Sequence, residues 1–386
     1  MSARLRWLIA LVPVFPPLYL VAFAALRYWR SLLPPARTVI LIYLGTQVVA
    51  ALFTPQPLLS LTLALLRGVF VVALILSGVY LKRSKELHYL LPGLVVVLAL
   101  AFLSTYFAYG SHWWQRRLIH PYYTVTSVGL VAALTLLIVI ESRISPLWRI
   151  VIGLLALAAL ILSGSRGALA LFLVGEAAAA LVHGKRFYKA LAASGVIAAL
   201  IFGIYKLTNH VFSVRHFFSL GLSGRDRVWE GALAAIRSHP WGGVGPYQLG
   251  PWLDYRNGNF ALWEGASALG FHFPAWAKKL DGAWLIAHDI FLHSLGESGV
   301  IGTLGFLALL GLIGYAVIRA RDPLLAAIFF GYLVMGLVDN PIAVPSLFFA
   351  EVFWIAGGMA LAQAGLAVPL EQGLAVDDDQ LGPDPL

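Results

Sequence analysis

Cysteine is absent from the 386 residues, which excludes disulfides and any thiolate metal site but identifies no compartment. Charge is scarce too. Only 12% of residues are charged, against about 25% in a soluble globular domain. No glycine-rich loop ending in Lys-Ser/Thr occurs, which argues against ATP hydrolysis, and no His-Glu-x-x-His metalloprotease motif is present. No clustered acidic pair suggests a metal-bound nucleotide-sugar site; Asp377-Asp378-Asp379 is a run in the C-terminal tail. Neither a metal nor a cofactor is expected.

Long apolar runs are what the chain has. Hydrophobic residues make up 60% of it, and the runs recur at the length of a bilayer crossing. Candidate spans fall near 8–26, 38–53, 58–81, 87–108, 121–140, 150–162, 168–182, 190–206, 290–318, 324–338 and 346–365. The expected fold is therefore all-α: one polytopic membrane bundle of about 11–12 transmembrane helices over residues 1–365. A large outer loop, 207–289, and an acidic disordered tail, 366–386, complete it.

The net charge of +9 comes from short connections rather than from a nucleic-acid-binding face, so no nucleic-acid partner is expected. Loops 27–37, 82–86, 141–149, 183–189 and 319–323 together carry 13 Lys/Arg, and the alternate short loops carry 3. The first set is assigned to the cytoplasm and loop 207–289 to the outside. Eleven crossings would then leave Arg4 and Arg6 outside. A bent hairpin through Pro13, Pro16 and Pro17, or a twelfth crossing, would remove the conflict. The N-terminus resembles a signal peptide but lacks a small-residue cleavage site, and is read as retained.

The outer loop holds six of the twelve tryptophans: Trp229, Trp241, Trp252, Trp263, Trp276 and Trp284. It is expected along the membrane face. Residues 226–238 read as an amphipathic helix with Val228, Trp229, Ala232, Leu233 and Ile236 on one face and Ser223 or Asp226 as cap. His239-Pro240-Trp241-Gly242-Gly243-Val244-Gly245-Pro246 ends it in a turn.

A few polar residues stand out against the hydrocarbon. His288 opens the apolar helix Ile290 to Ile318 and is the candidate for proton transfer, because imidazole titrates near neutral pH. Asp289 and His293 compete with it, and Glu297 is placed either to orient His288 or to pair with an arginine. Arg166, among the small residues of Ser163-Gly164-Ser165-Arg166-Gly167, either binds an anion or snorkels from a helix end. Arg225, at the start of the loop helix, combines a helix N-terminus with a bidentate fork suited to phosphate, with Arg227 as substitute. The alternative for both is a surface ion pair. Arg67, inside span 58–81, either lines a cavity or marks a later helix start.

Three segments together resemble the O-antigen ligase family of polytopic glycosyltransferases, which includes related polysaccharide polymerases. They are Ser163–Gly167, Ser223-Gly224-Arg225 through Val228-Trp229 to His239–Gly245, and Ala287–Leu292 with Glu297–Gly302. The match covers residues 150–318; the first 140 match in hydropathy only. The resemblance implies transfer of a glycan from undecaprenyl diphosphate to an acceptor hydroxyl at the periplasmic side of the bacterial inner membrane. The acceptor is lipid A–core for a ligase and another glycan for a polymerase. The resemblance further implies that His288 is the base and that Arg166 and Arg225 hold the diphosphate. The family has Asn after that histidine where this chain has Asp289, which puts the neighbour's role in doubt. Ligase is placed ahead of polymerase, a lipid-linked sugar flippase is the reading from another class, and a monomer is the default.

Overall fold

The computed structural model describes residues 3–142, 144–183, 195, 225–256, 285–344 and 349–368. Candidate span 190–206, half of the outer-loop tryptophans, the Ser223 cap and the acidic run 377–379 lie outside them. Among the described residues the chain is helical, with one isolated bridge, Leu32 to Ala367.

Twelve α-helices follow in order: α1 (Ala3–Leu11), α2 (Pro34–Leu52), α3 (Pro57–Leu81), α4 (Leu91–Tyr109), α5 (Val125–Glu141), α6 (Pro146–Ser163), α7 (Arg166–His183), α8 (Arg225–Ser238), α9 (Leu249–Arg256), α10 (Ile290–Ala320), α11 (Pro323–Gly336) and α12 (Ala350–Gln363). Three 3-10 segments, Pro16–Ser31, Ser84–Leu90 and Gly110–Gln115, join them. Among the described residues, five helical stretches are long and apolar enough to cross a membrane: Pro34–Leu52, Pro57–Leu81, Ser84–Gln115, Pro146–Ser163 and Ile290–Ala320. The protein is an all-α, multi-pass membrane bundle.

The first candidate span is not one helix. Proline at 13, 16 and 17 removes backbone donors and breaks it into α1 and the Pro16–Ser31 segment. The two legs double back. The Arg6 guanidinium stacks on Tyr89, and the Tyr28 ring stacks on Tyr80, so both legs meet the stretch from the end of α3 to Tyr89. Arg4 and Arg6 therefore share an end with loops 27–37 and 82–86, which settles the charge conflict in favour of the hairpin. Loops 82–86 and 319–323 meet through Ser84 and Asp322, whose carboxylate also caps α11. At the same end the chain past α12 packs on the hairpin: Leu33 N–H donates to Leu366 O and Val368 N–H to Ser31 O. The expected tail is thus packed at least to Val368.

The last two helices are short. The 14-residue helices α11 and α12 each rise only about 21 Å, short of the roughly 30 Å hydrocarbon core. Both are anchored at the Ser84–Asp322 end. In the described part of their connection, 337–344, Asp339 and Asn340 are buried. Close backbone contacts hold the long helices around it. A Cβ on Gly78 would lie 1.9 Å from Ile355 O, so α3 and α12 touch through bare backbone.

Candidate active site

His288 lies immediately before α10, in the left-handed region at φ 50°. Its neighbour explains why the helix starts there. Asp289 Oδ1 accepts from both Phe291 N–H (2.9 Å) and Leu292 N–H (2.8 Å), which caps the helix. The carboxylate that meets the imidazole is another one. His288 Nδ1 lies 3.2 Å from Asp339 Oδ1, across from the α11 end. Asp339 also accepts from Asn340 N–H at 3.0 Å. Burial pushes the Asp339 carboxyl up, but His288, Arg225 and the Asn340 N–H outweigh it and hold it below the usual value. With Nδ1 turned to a buried carboxylate, Nε2 is the nitrogen left for an external partner. Among the described residues none bonds to it, and the side chain is 33% exposed.

Three arginines converge on the same place. Arg166 is the first residue of α7, set there by the left-handed Gly164 that closes α6. Arg225 is the first residue of α8. The third, Arg117, comes from the connection after α4, which folds inward: Leu118 N–H donates to Leu162 O (3.2 Å) and Arg117 Nε to Ser163 O (2.7 Å). That bond ties Arg117 to the Ser163–Gly167 turn carrying Arg166. Burial lowers the Arg117 guanidinium to about 10, helped by the charges of Arg166 and Arg225; it is still a cation at neutral pH. Arg225 is lowered by burial and by Arg166, against the opposing pull of Asp339. Like charges gathered in a poorly solvated site raise one another's energy, and an anion placed among them relieves this. Arg227 does not join the group. It is exposed on α8. The face of α8 that packs also differs from expectation: Val228, Gly231, Ala232 and Ala235 are buried, and Leu233 is exposed.

The remaining polar residues build a support. The expected continuous helix Ile290–Ile318 is broken at Gly299, which adopts φ 57°, ψ −166°. The His239–Pro246 turn repairs the break. Val244 and Gly245 N–H donate to Gly296 O (2.8 Å) and Glu297 O (2.9 Å); Val300 N–H donates to Pro240 O (2.8 Å) and Ile301 N–H to Trp241 O (3.3 Å). Backbone groups released by the kink would otherwise stay unsatisfied inside a bundle. The splice requires glycine, since a Cβ on Gly299 would sit 2.2 Å from Trp241 O.

Glu297 anchors this splice. It pairs with Arg67, accepts from Tyr247 N–H (2.7 Å) and lies 3.4 Å from His293 Nε2. Tyr247 in turn lies beneath the Arg67 guanidinium and donates its hydroxyl to Val344 O. His293 accepts from Ala287 N–H through Nδ1 at 3.4 Å. Both its ring nitrogens are occupied and it is buried, so it is a strut and not a rival base. Glu297 therefore pairs with an arginine and reaches His288 only through His293 and the Ala287 backbone. Arg67, in the middle of α3, lines a cavity of about 50 Å³ with Tyr43, Gln47, His293 and Glu297. The later helix start is excluded, because α3 begins at Pro57.

Arg117 and Asp339 were not singled out in the sequence. Arg116-Arg117 is the only pair of cations in the short outer connections, and Asp339 is an acid in a connection between apolar helices. Those were the available signals. No curated protein matches the chain. His288, Arg166 and Arg225 fall inside, and Arg67, Arg117 and Asp339 outside, residues 150–307, the segment that matches a family model described as O-Antigen ligase. That segment, less than half of the chain, resembles the O-antigen ligase family.

Proposed function

We propose that the protein transfers a glycan from undecaprenyl diphosphate to a sugar hydroxyl of lipid A–core, outside the bacterial inner membrane, without a metal. The observation that carries this reading is the meeting of a His–Asp pair with three arginines in one part of the bundle. The diphosphate rests among Arg117, Arg166 and Arg225. His288 Nε2 takes the proton from the acceptor hydroxyl as its oxygen attacks the anomeric carbon. The bond from that carbon to the diphosphate oxygen breaks, and its electron pair leaves on the diphosphate, where the arginines meet the growing charge. One displacement inverts the anomeric centre. Asp339 holds Nδ1 and stabilises the imidazolium formed, and the Arg67–Glu297–His293 strut fixes the backbone beside His288. A polymerase would use the same site with a second lipid-linked glycan as acceptor.

His288→Ala tests the reading. The variant inserts and folds, binds the lipid diphosphate with affinity close to wild type, and loses about 10²–10⁴-fold in transfer. Wild-type transfer by His288→Ala would end the proposed mechanism. Long glycans formed from lipid-linked donor alone, with no lipid A–core present, would select the polymerase. Transbilayer movement of donor without transfer would select a flippase.

A further inference from the structure

A second cavity, of about 440 Å³, lies at the end of the bundle opposite the histidine. The N-terminal hairpin forms one wall, and α3, the Ser84–Leu90 segment and α12 form the others. Its interior is hydrocarbon: Leu8, Ile9, Ala22, Ala25, Leu81 and Leu90. Its polar lining includes Arg4, Arg27 and Glu86.

Three observations limit what fills this space. The volume falls in the range of ligand sites, and an empty void of this size would strip dispersion contacts from its whole lining. The apolar walls offer water too few partners. Two of the lining residues, Val21 and Tyr80, are 50% and 41% exposed, so the cavity opens on the flank of the bundle, where bilayer lipid is. Charge then selects the lipid. No carboxylate lies within salt-bridge distance of Arg4 or Arg27 among the described residues; Arg27 rests on the Tyr28 ring and hydroxyl. Arg6, Lys82, Arg83 and Lys85 lie at the same end of the bundle.

We propose that this cavity is a binding site for one anionic phospholipid, its acyl chain between the hairpin and α3 and its phosphate between Arg4 and Arg27. By the positive-inside assignment the lipid belongs to the cytoplasmic leaflet. Its role is structural: it completes the packing of a hairpin that does not cross the bilayer and couples the fold to membrane composition. This proposal is independent of the transfer chemistry.

The full-length protein is reconstituted in nanodiscs of equal phosphatidylglycerol and phosphatidylcholine, moved to detergent, and its retained lipid read by native mass spectrometry. The wild type is expected to keep one phosphatidylglycerol with a preference of roughly tenfold over phosphatidylcholine. Arg4→Gln with Arg27→Gln brings the two lipids to near parity. Ala25→Phe, which fills the cavity without touching charge, removes the retained lipid. Equal retention of both lipids by the wild type overturns the proposal, as does unchanged phosphatidylglycerol retention in both variants. A lipid-free dimer that Ala25→Phe turns into a monomer would give the cavity to a second copy instead.

Discussion

Replacing Asp339 with Asn separates the base from its support. The change keeps the shape of the side chain and the space around His288 but removes the charge 3.2 Å from Nδ1. In the proposed mechanism His288 becomes an imidazolium in the transition state. At that distance, with an effective dielectric constant near 20, the attraction is about 5 kcal/mol. His288 is 33% exposed, so solvent screening reduces the useful part to about 2–3 kcal/mol. That corresponds to a loss of roughly 30–150-fold in kcat. Donor binding should move the other way or not at all, because the site becomes more positive when a carboxylate is lost beside three arginines. The assay is steady-state transfer with lipid-linked donor, separating kcat from KM for the donor. A variant that keeps wild-type kcat would refute the role given to Asp339. A large rise in donor KM with unchanged kcat would show that Asp339 shapes the arginine site and not the base.

Three further predictions follow from the structure. Arg117→Gln should weaken donor binding about tenfold or more, as expected for a lost charge-assisted contact, while the exposed Arg227→Gln leaves it within twofold; equal effects in a donor-binding assay would dissolve the three-arginine cluster. Glu297→Gln strands the Arg67 charge inside the bundle and should lower stability by about 3–5 kcal/mol, with Arg67→Met restoring part of it in the double variant; thermal unfolding in detergent checks the order. Burial lowers the His120 imidazole to about 4 while Nδ1 accepts from Tyr122 and Tyr123 N–H. The unfolded chain therefore takes up the proton first, and stability should fall by roughly 2–3 kcal/mol as pH drops from about 6.5 to 4. His120→Asn should flatten that segment of a pH–melting curve, and an unflattened curve would assign the dependence elsewhere.

The sequence was most legible where one physical constraint acts alone. A run of about 20 apolar residues has one economical state in a bilayer, so α2, α3, α4 and α10 lie close to where hydropathy puts them. His288, Arg166 and Arg225 were visible because charge is rare in this chain, and the structure brings both arginines into a common electrostatic site with Asp339 and the histidine. The N-terminal hairpin was legible in part, since three prolines and two arginines on the wrong side pointed to it without deciding it.

What the chain could not disclose depends on partners distant in sequence. Asp289 adjoins His288 yet caps the helix start through Oδ1, while Asp339, 51 residues on from His288, meets the imidazole. Arg117 reaches Arg166 only because its connection bonds to Ser163. Glu297 read as a helix-face acid, and became an anchor once Gly299 broke the helix and the His239–Pro246 turn came in to satisfy the exposed backbone. Composition fixes that the chain lives in hydrocarbon and that its few charges matter. Which charges face one another is set by helix packing and backbone hydrogen bonding in three dimensions, because buried connections bring distant residues together and broken helices must be completed from elsewhere.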